Sequence, residues 1–224
     1  MSETKWTIFD EEELWLKYRA NYFTSSDVIR LMAEPTKKAK EAGKLLSEGA
    51  ISYIMEVISA QFEAPKPIYY STEMQWGKDN EPSAALRLCE ILNLDPQSKG
   101  VIYGNKDGIV FYDNGKLGGT PDLILPDAIA EIKCPNSDTH LYYKAFVNEA
   151  NFQDQLPKYY DQMQANMYLC ERDKCYFLSY DPRFKIESRQ IHLLEIERNQ
   201  ERINAILEKV EIATELMNKL KNIL

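Results

Sequence analysis

Asp122, Glu131 and Lys133 are the residues whose types and spacing suit a reaction. They lie in the stretch Gly118-Gly119-Thr120-Pro121-Asp122-Leu123-Ile124-Leu125-Pro126-Asp127-Ala128-Ile129-Ala130-Glu131-Ile132-Lys133. An acid-x-Lys triplet such as Glu131-Ile132-Lys133 is weak evidence alone, and its surroundings raise it. Pro126-Asp127 suits the centre of a turn joining two antiparallel strands. With Leu125 facing Ala128, Asp122 faces Glu131, and the two carboxylates stand roughly 5 Å apart at Cβ on one sheet face. Lys133 shares that face because strand side chains alternate with period two. Proline at the first central position suits type I and II turns rather than the primed turns of tight hairpins, so the turn type stays open.

Facing carboxylates repel and weaken a strand pair unless a cation sits between them. An all-oxygen site suits a hard divalent ion such as Mg2+. Two readings of the trio stand: a metal site, or a solvent-exposed hairpin face on which three charges meet. Apolar Leu123, Ile124, Leu125, Ile129 and Ile132 occupy both strand faces, as in a sheet covered on both sides, where a buried charged trio demands a reason. The chemistry such a trio supports is metal-assisted phosphodiester hydrolysis. The carboxylates hold one or two ions that lower the pKa of bound water and neutralise charge growing on the phosphate. A lysine ammonium beside the ion orients the attacking water and stabilises the transition state.

The elements that must position these residues belong to a chain of 224 residues, which suits one domain with an appended element at roughly 150 residues per domain. A single α/β domain over 1–224 is expected. The 44% apolar content, with 9 Gly and 10 Pro, excludes collagen-like, low-complexity and wholly disordered classes. The net charge of −8 argues against coating nucleic acid through overall charge. It leaves room for a nuclease whose carboxylates and local basic patches work in a cleft. No window approaches a membrane span, and the opening MSETKWTIFDEEELW is acidic where a signal peptide is basic and then apolar, so a cytoplasmic location is expected. Cys89, Cys134, Cys170 and Cys175 contain no C-x2-C pair and read as reduced thiols rather than a zinc or iron–sulfur site. His140 and His192 are too few for a histidine-based site unless carboxylates supply most of it.

The first part, to about residue 94, reads helical. Thr24-Ser25-Ser26-Asp27 looks like an N-cap for a short amphipathic helix at Val28–Met32. Ala50 to Phe62 has helical spacing, closed by Ala64-Pro65-Lys66-Pro67. A third helix is expected from Pro82 to Leu92, with Pro82 in its first turn. Lys37, Lys38, Lys40 and Lys44 form either a solvated helix face or a phosphate-contacting patch. Short β-type runs at Val101–Tyr103, Gly108–Tyr112, Leu123–Leu125 and Ala128–Lys133 predict a small antiparallel sheet. A helix at Lys158–Glu171, strands at Cys175–Tyr180 and Ile186–Ile196, and a long amphipathic helix from about Arg198 to Leu224 complete the pattern. The apolar face of that last helix fits either the chain's own core or a neighbouring subunit.

Thr120-Pro121-Asp122 followed by Glu131-Ile132-Lys133-Cys134-Pro135 resembles the PD-(D/E)xK nuclease signature in the form seen in the lambda-type phage exonucleases, the YqaJ-type viral recombinases. The similarity extends to Trp15-Leu16-Lys17-Tyr18-Arg19, Thr24-Ser25-Ser26, Trp76-Gly77-Lys78-Asp79-Asn80-Glu81, Gln162-Met163-Gln164, Tyr176–Arg183 and His192–Arg198 in order and approximate spacing, about residues 15 to 198. The resemblance implies a restriction-endonuclease-like α/β core, a small mixed or antiparallel sheet flanked by helices, with the C-terminal amphipathic helix appended. It implies metal ligands at Asp122, Glu131 and the main-chain carbonyl of Ile132, a catalytic lysine at Lys133, a helix-borne acid at Glu81 in the outer metal shell, and an active-site glutamine at Gln162. Arg19, Ser26 and Thr120 fall where the family binds a 5′-terminal phosphate, a task suited to a guanidinium and hydroxyl donors. Read as residues alone, Arg19 as a surface ion pair and Ser26 as a helix cap are the lesser alternatives. Thr120 stands where the family has serine, and the Tyr- and Asn-rich segment between Lys133 and Gln162 matches poorly.

The activity so implied is a Mg2+-dependent 5′→3′ exonuclease on linear double-stranded DNA, with Mn2+ able to substitute. It releases mononucleotides and leaves 3′ overhangs for a single-strand annealing protein, and the family forms homotrimers around DNA. The alternatives are an endonuclease or helicase-associated nuclease of the same superfamily, and a non-catalytic DNA-end-binding module.

Overall fold

The computed structural model describes residues 4–64, 71–98, 100–103 and 108–224. In chain order its elements are β1 (Lys5–Phe9), α1 (Glu12–Arg19), β2 (Phe23–Thr24), α2 (Ile29–Met32), α3 (Lys37–Glu41), α4 (Glu48–Gln61) and α5 (Thr72–Ile91). There follow β3 (Ile102–Tyr103), β4 (Ile109–Asp113), β5 (Leu117–Gly119), β6 (Leu123–Ile124) and β7 (Ile129–Lys133). The last third holds α6 (Ser137–Phe146), α7 (Phe152–Gln155), α8 (Pro157–Leu169), β8 (Lys174–Tyr180), a 3-10 turn at Glu187–Arg189, β9 (Ile191–Glu197) and α9 (Gln200–Lys221).

The strands form two sheets rather than one. A four-stranded sheet has the order β1-β4-β5-β2, and a five-stranded sheet the order β3-β6-β7-β8-β9. The hairpin expected at Leu125–Ala128 is present, with the Leu125 amide donating to the Ala128 carbonyl at 2.9 Å. Its register pairs Leu123 with Ala130 and Ile124 with Ile129, so continuing the ladder by one step sets Asp122 opposite Glu131. β8 then joins β7 in parallel, with Glu131 opposite Phe177 and Lys133 opposite Ser179.

Alternation along these strands sorts the core. Leu123, Ala130, Ile132 and Leu178 face α5, packing on Ala84, Ala85 and Leu88. Ile124, Ile129 and Phe177 face the other way, onto Tyr143, Phe152 and Met163 of α6, α7 and α8. By the same parity Asp122, Glu131 and Lys133 project on the α8 side. A third cluster joins α4, α9 and Phe23, with Ile54, Ile206 and Val210 fully buried.

Several boundaries differ from the sequence reading. α5 begins ten residues before Pro82, capped by Ser71, whose hydroxyl accepts from the Met74 amide at 3.2 Å. Pro82 is exposed inside it and has no N–H to give the helix. Thr24–Asp27 is not a cap: α2 starts from Val28 with no side-chain cap, and Thr24 belongs to β2. β9 starts at Ile191 because the residues before it form the 3-10 turn. α4 ends at Gln61, and Pro65-Lys66-Pro67 lies outside the described residues. Lys40 and Lys44 pair with Glu34 and Glu48 on an exposed face, at 2.9 and 2.8 Å, which favours the solvated-face reading of that cluster. All four cysteines are free thiols. No helix among the described residues is long and apolar enough to cross a membrane.

Candidate active site

The hairpin brings the sequence-predicted trio together at the end of β7. Asp122 is fixed by the Ile132 amide, which donates to its Oδ2 at 2.7 Å. The Lys133 ammonium lies 3.5 Å from that same Oδ2, is ion-paired with Glu131 Oε1, and donates to the Ile132 carbonyl at 3.0 Å. The three oxygen sources expected of a metal site thus converge on one cation, here an ammonium. Glu131 is 0% exposed, and beyond its ion pair neither carboxylate oxygen accepts a directed hydrogen bond among the described residues.

The electrostatics follow from that burial. Glu131 is pushed well above the ordinary carboxylate range, first by loss of water and then by the Asp122 charge, with Glu81 adding and Lys133 opposing. Burial alone would pull the Lys133 ammonium down, but Asp122 and Glu131 outweigh it and hold it above its usual value. Cys134 is pushed up to about 12 by burial and by Glu81, so it is a neutral thiol rather than a nucleophile. A buried carboxylate whose sole charged partner among the described residues is Lys133, set against a second carboxylate, is relieved further by a hard cation, and the all-oxygen surroundings fit a divalent ion. Among the described residues no three His, Cys, Asp or Glu side chains gather closely enough to hold a metal by themselves. What the site could offer an ion is two carboxylates and a carbonyl, with the Glu81 charge felt at Glu131.

α8 closes the site from the other side. The Lys133 ammonium lies 5.4 Å from the centre of the Tyr159 ring, and Gln162 is buried three residues further along the same helix, hence on the same face. Tyr159 carries no motif signal and is found only through the fold.

A second constellation joins Arg19, Ser26 and Thr120. Arg19, the last residue of α1, donates from Nη2 to Ser26 Oγ at 3.1 Å. One turn back, the Trp15 ring lies 4.8 Å beneath the guanidinium, and its indole N–H donates to Thr120 Oγ1 at 3.2 Å. Trp15 is therefore the hinge of the group, and its signal in the sequence is the i, i+4 spacing to Arg19. Burial pulls the Arg19 guanidinium down from its ordinary value while Asp27 and Tyr53 oppose this; it stays charged. Only Pro121 separates Thr120 from Asp122, so the two constellations are no more than about 7 Å apart along the backbone. Gly119 makes the approach possible: a Cβ there would lie 2.2 Å from Asn166 Oδ1 and 2.6 Å from Ser25 Oγ.

The chain is similar to LHK-Exo, an alkaline exonuclease from Laribacter hongkongensis solved in complex with dAMP, at 26% identity and TM-score 0.69 over 92% of this chain and 93% of that one. It shares the fold of a phage-related exonuclease from Haemophilus somnus 129PT, at 21% identity and TM-score 0.70 over 90% of this chain and 95% of that one. No curated protein matches significantly. The model of the YqaJ-like viral recombinase domain matches residues 14–173, a span that contains the whole trio, Glu81, Gln162 and the Arg19 group, and the chain belongs to that family.

Proposed function

We propose that this protein is a Mg2+-dependent 5′→3′ exonuclease acting on the ends of linear double-stranded DNA, with Mn2+ able to substitute. The observation that carries the reading is the juxtaposition of the carboxylate–lysine trio with the Arg19–Ser26–Thr120 group across the single residue Pro121. Asp122, Glu131 and the Ile132 carbonyl hold the ion, and Glu81 adds negative charge to its surroundings. The bound ion supplies a water of lowered pKa and offsets charge growing on the phosphate. Lys133 donates to the attacking water and to the transition-state oxygens, while Gln162 borders the site from α8. Arg19, with the Ser26 and Thr120 hydroxyls, binds the 5′-terminal phosphate. Part of the binding free energy thereby serves to place the next phosphodiester over the trio.

Pulling the 5′ end forward by its phosphate limits each cut to the terminal nucleotide. The products are mononucleotides and a lengthening 3′ overhang, the substrate of a single-strand annealing protein, and a homotrimer suits an enzyme that follows duplex DNA. The test is digestion of linear against covalently closed circular duplex, with and without Mg2+. Release of mononucleotides from the linear form alone, abolished by a chelator, is the expected result. Cleavage of the closed circle would assign an endonuclease instead.

A further inference from the structure

Arg183 makes a second guanidinium construction beside the trio. Asp181, 0% exposed, accepts from Arg183 Nε at 2.7 Å and from Nη2 at 3.0 Å, and also from the Arg183 amide at 3.0 Å. Nη2 donates further to the Pro135 carbonyl at 2.8 Å, two residues beyond Lys133. The guanidinium carbon lies 4.3 Å from the centre of the Trp76 ring, on α5, the helix that carries Glu81. The Nε–H and both Nη2 hydrogens are thereby committed. The Nη1 pair has no acceptor among the described residues, and the side chain remains 42% exposed. The buried Trp76 indole N–H also lacks an acceptor among the described residues.

This is more than a clasp for Asp181 requires. Asp181 holds one edge of the guanidinium, the Pro135 carbonyl takes the other Nη2 hydrogen and the indole supports a face, so Nη1 alone is left to donate, in a set direction beside the loop that follows Lys133. A pre-ordered, half-exposed guanidinium with one uncommitted nitrogen matches an anionic oxygen, as a phosphodiester has. We propose that Arg183, held on Trp76 by Asp181, is a contact for a backbone phosphate of the DNA bound at this site. The proposal rests on the nuclease reading above and adds a contact distinct from the terminal-phosphate group around Arg19.

The test uses a fluorescently labelled, 5′-phosphorylated linear duplex, with affinity measured by anisotropy over a salt series in a chelating buffer that prevents hydrolysis. The double variant Asp181→Asn/Arg183→Gln replaces a charge-balanced pair by a neutral one and leaves net charge unchanged. One lost phosphate contact lowers the slope of log affinity against log salt by about one, and that fall is expected. An unchanged slope reduces Arg183 to a structural clasp and overturns the proposal. Arg183→Lys keeps the charge but not the fork: a severalfold weaker affinity at nearly the parental slope is expected, and unaltered affinity overturns the proposal even if the double variant does not fold. A parental protein that fails to bind the duplex removes the nuclease reading together with this one, whereas parental binding and cleavage with an insensitive Arg183 removes this one alone.

Discussion

At the scale of single residues, the burial of Glu131 favours a metal site over a chance meeting of charges on an exposed face. A solvent-exposed trio would leave its carboxylates hydrated, but Glu131 has no exposure and its oxygens are orphaned apart from Lys133. Its raised pKa means that the ionised form costs free energy in the fold, a cost a bound cation removes. Glu131→Gln is therefore expected to abolish Mg2+-dependent hydrolysis while the melting temperature in chelator stays level or rises. Activity and thermal unfolding on the same preparation check this, and retained activity would dissolve the site. Lys133→Ala is expected to slow hydrolysis at saturating Mg2+ by about a hundredfold or more. Metal affinity, read by calorimetry, should not fall, because the ammonium shares the ligand oxygens rather than supplying one. A collapse of affinity without a slower step at saturating metal would reverse its role.

At the scale of elements, the β6–β7 hairpin was legible because Pro126-Asp127 marks the turn and side-chain parity does the rest. α4 and α9 were legible for the same kind of reason, an uninterrupted apolar stripe. The first half of α5 was not, since Gly77, Asp79 and Asn80 are poor helix formers and Pro82 looks like a start. The parallel pairing of β7 with β8 was hidden because some forty residues and three helices intervene, and local pattern carries no record of such a pairing. β1 was missed because it is an edge strand with Trp6 and Ile8 pointing outward, so no buried alternation announces it. The residues proposed as ligands are local to one hairpin and so can be read from spacing, whereas Tyr159 joins them through tertiary contact. Gly119→Ala tests the packing of β5 on α8. Its new methyl would meet Asn166 and Ser25, so a loss of about 1–3 kcal/mol is expected in urea unfolding, with partial recovery in Gly119→Ala/Asn166→Ala. No loss would mean that the close approach is not needed to seat Thr120.

At the scale of the whole molecule, buried polar contacts tie distant segments together, and His140 makes two of them. It is fully buried, with Nδ1 2.7 Å from Ser179 Oγ on β8 and Nε2 2.9 Å from the carbonyl of Arg189, the last residue of the 3-10 turn. Burial lowers its pKa below the ordinary 6.5, against the opposing pull of the Arg189 bond and Asp181. The unfolded chain therefore takes up a proton that the fold refuses. Its contribution is fully present above about pH 6.5 and is lost as the pH falls toward the lowered value. Unfolding free energy should decline on that acid side, with a shallower slope in His140→Gln; equal slopes would exclude His140 as a cause. The central claim also concerns distant segments, since α1, the turn after β2 and the β6–β7 hairpin must act on one DNA end. The most direct measurement is the ratio of digestion rates on 5′-phosphorylated and 5′-hydroxyl linear duplexes for the parental protein and Arg19→Ala. Losing a charge-assisted contact costs about 1.5–3 kcal/mol, roughly ten- to a hundredfold or more. The predicted result is that the variant slows by that factor on phosphorylated ends alone, bringing the ratio close to one. Equal slowing on both ends would contradict the terminal-phosphate assignment and the polarity built on it.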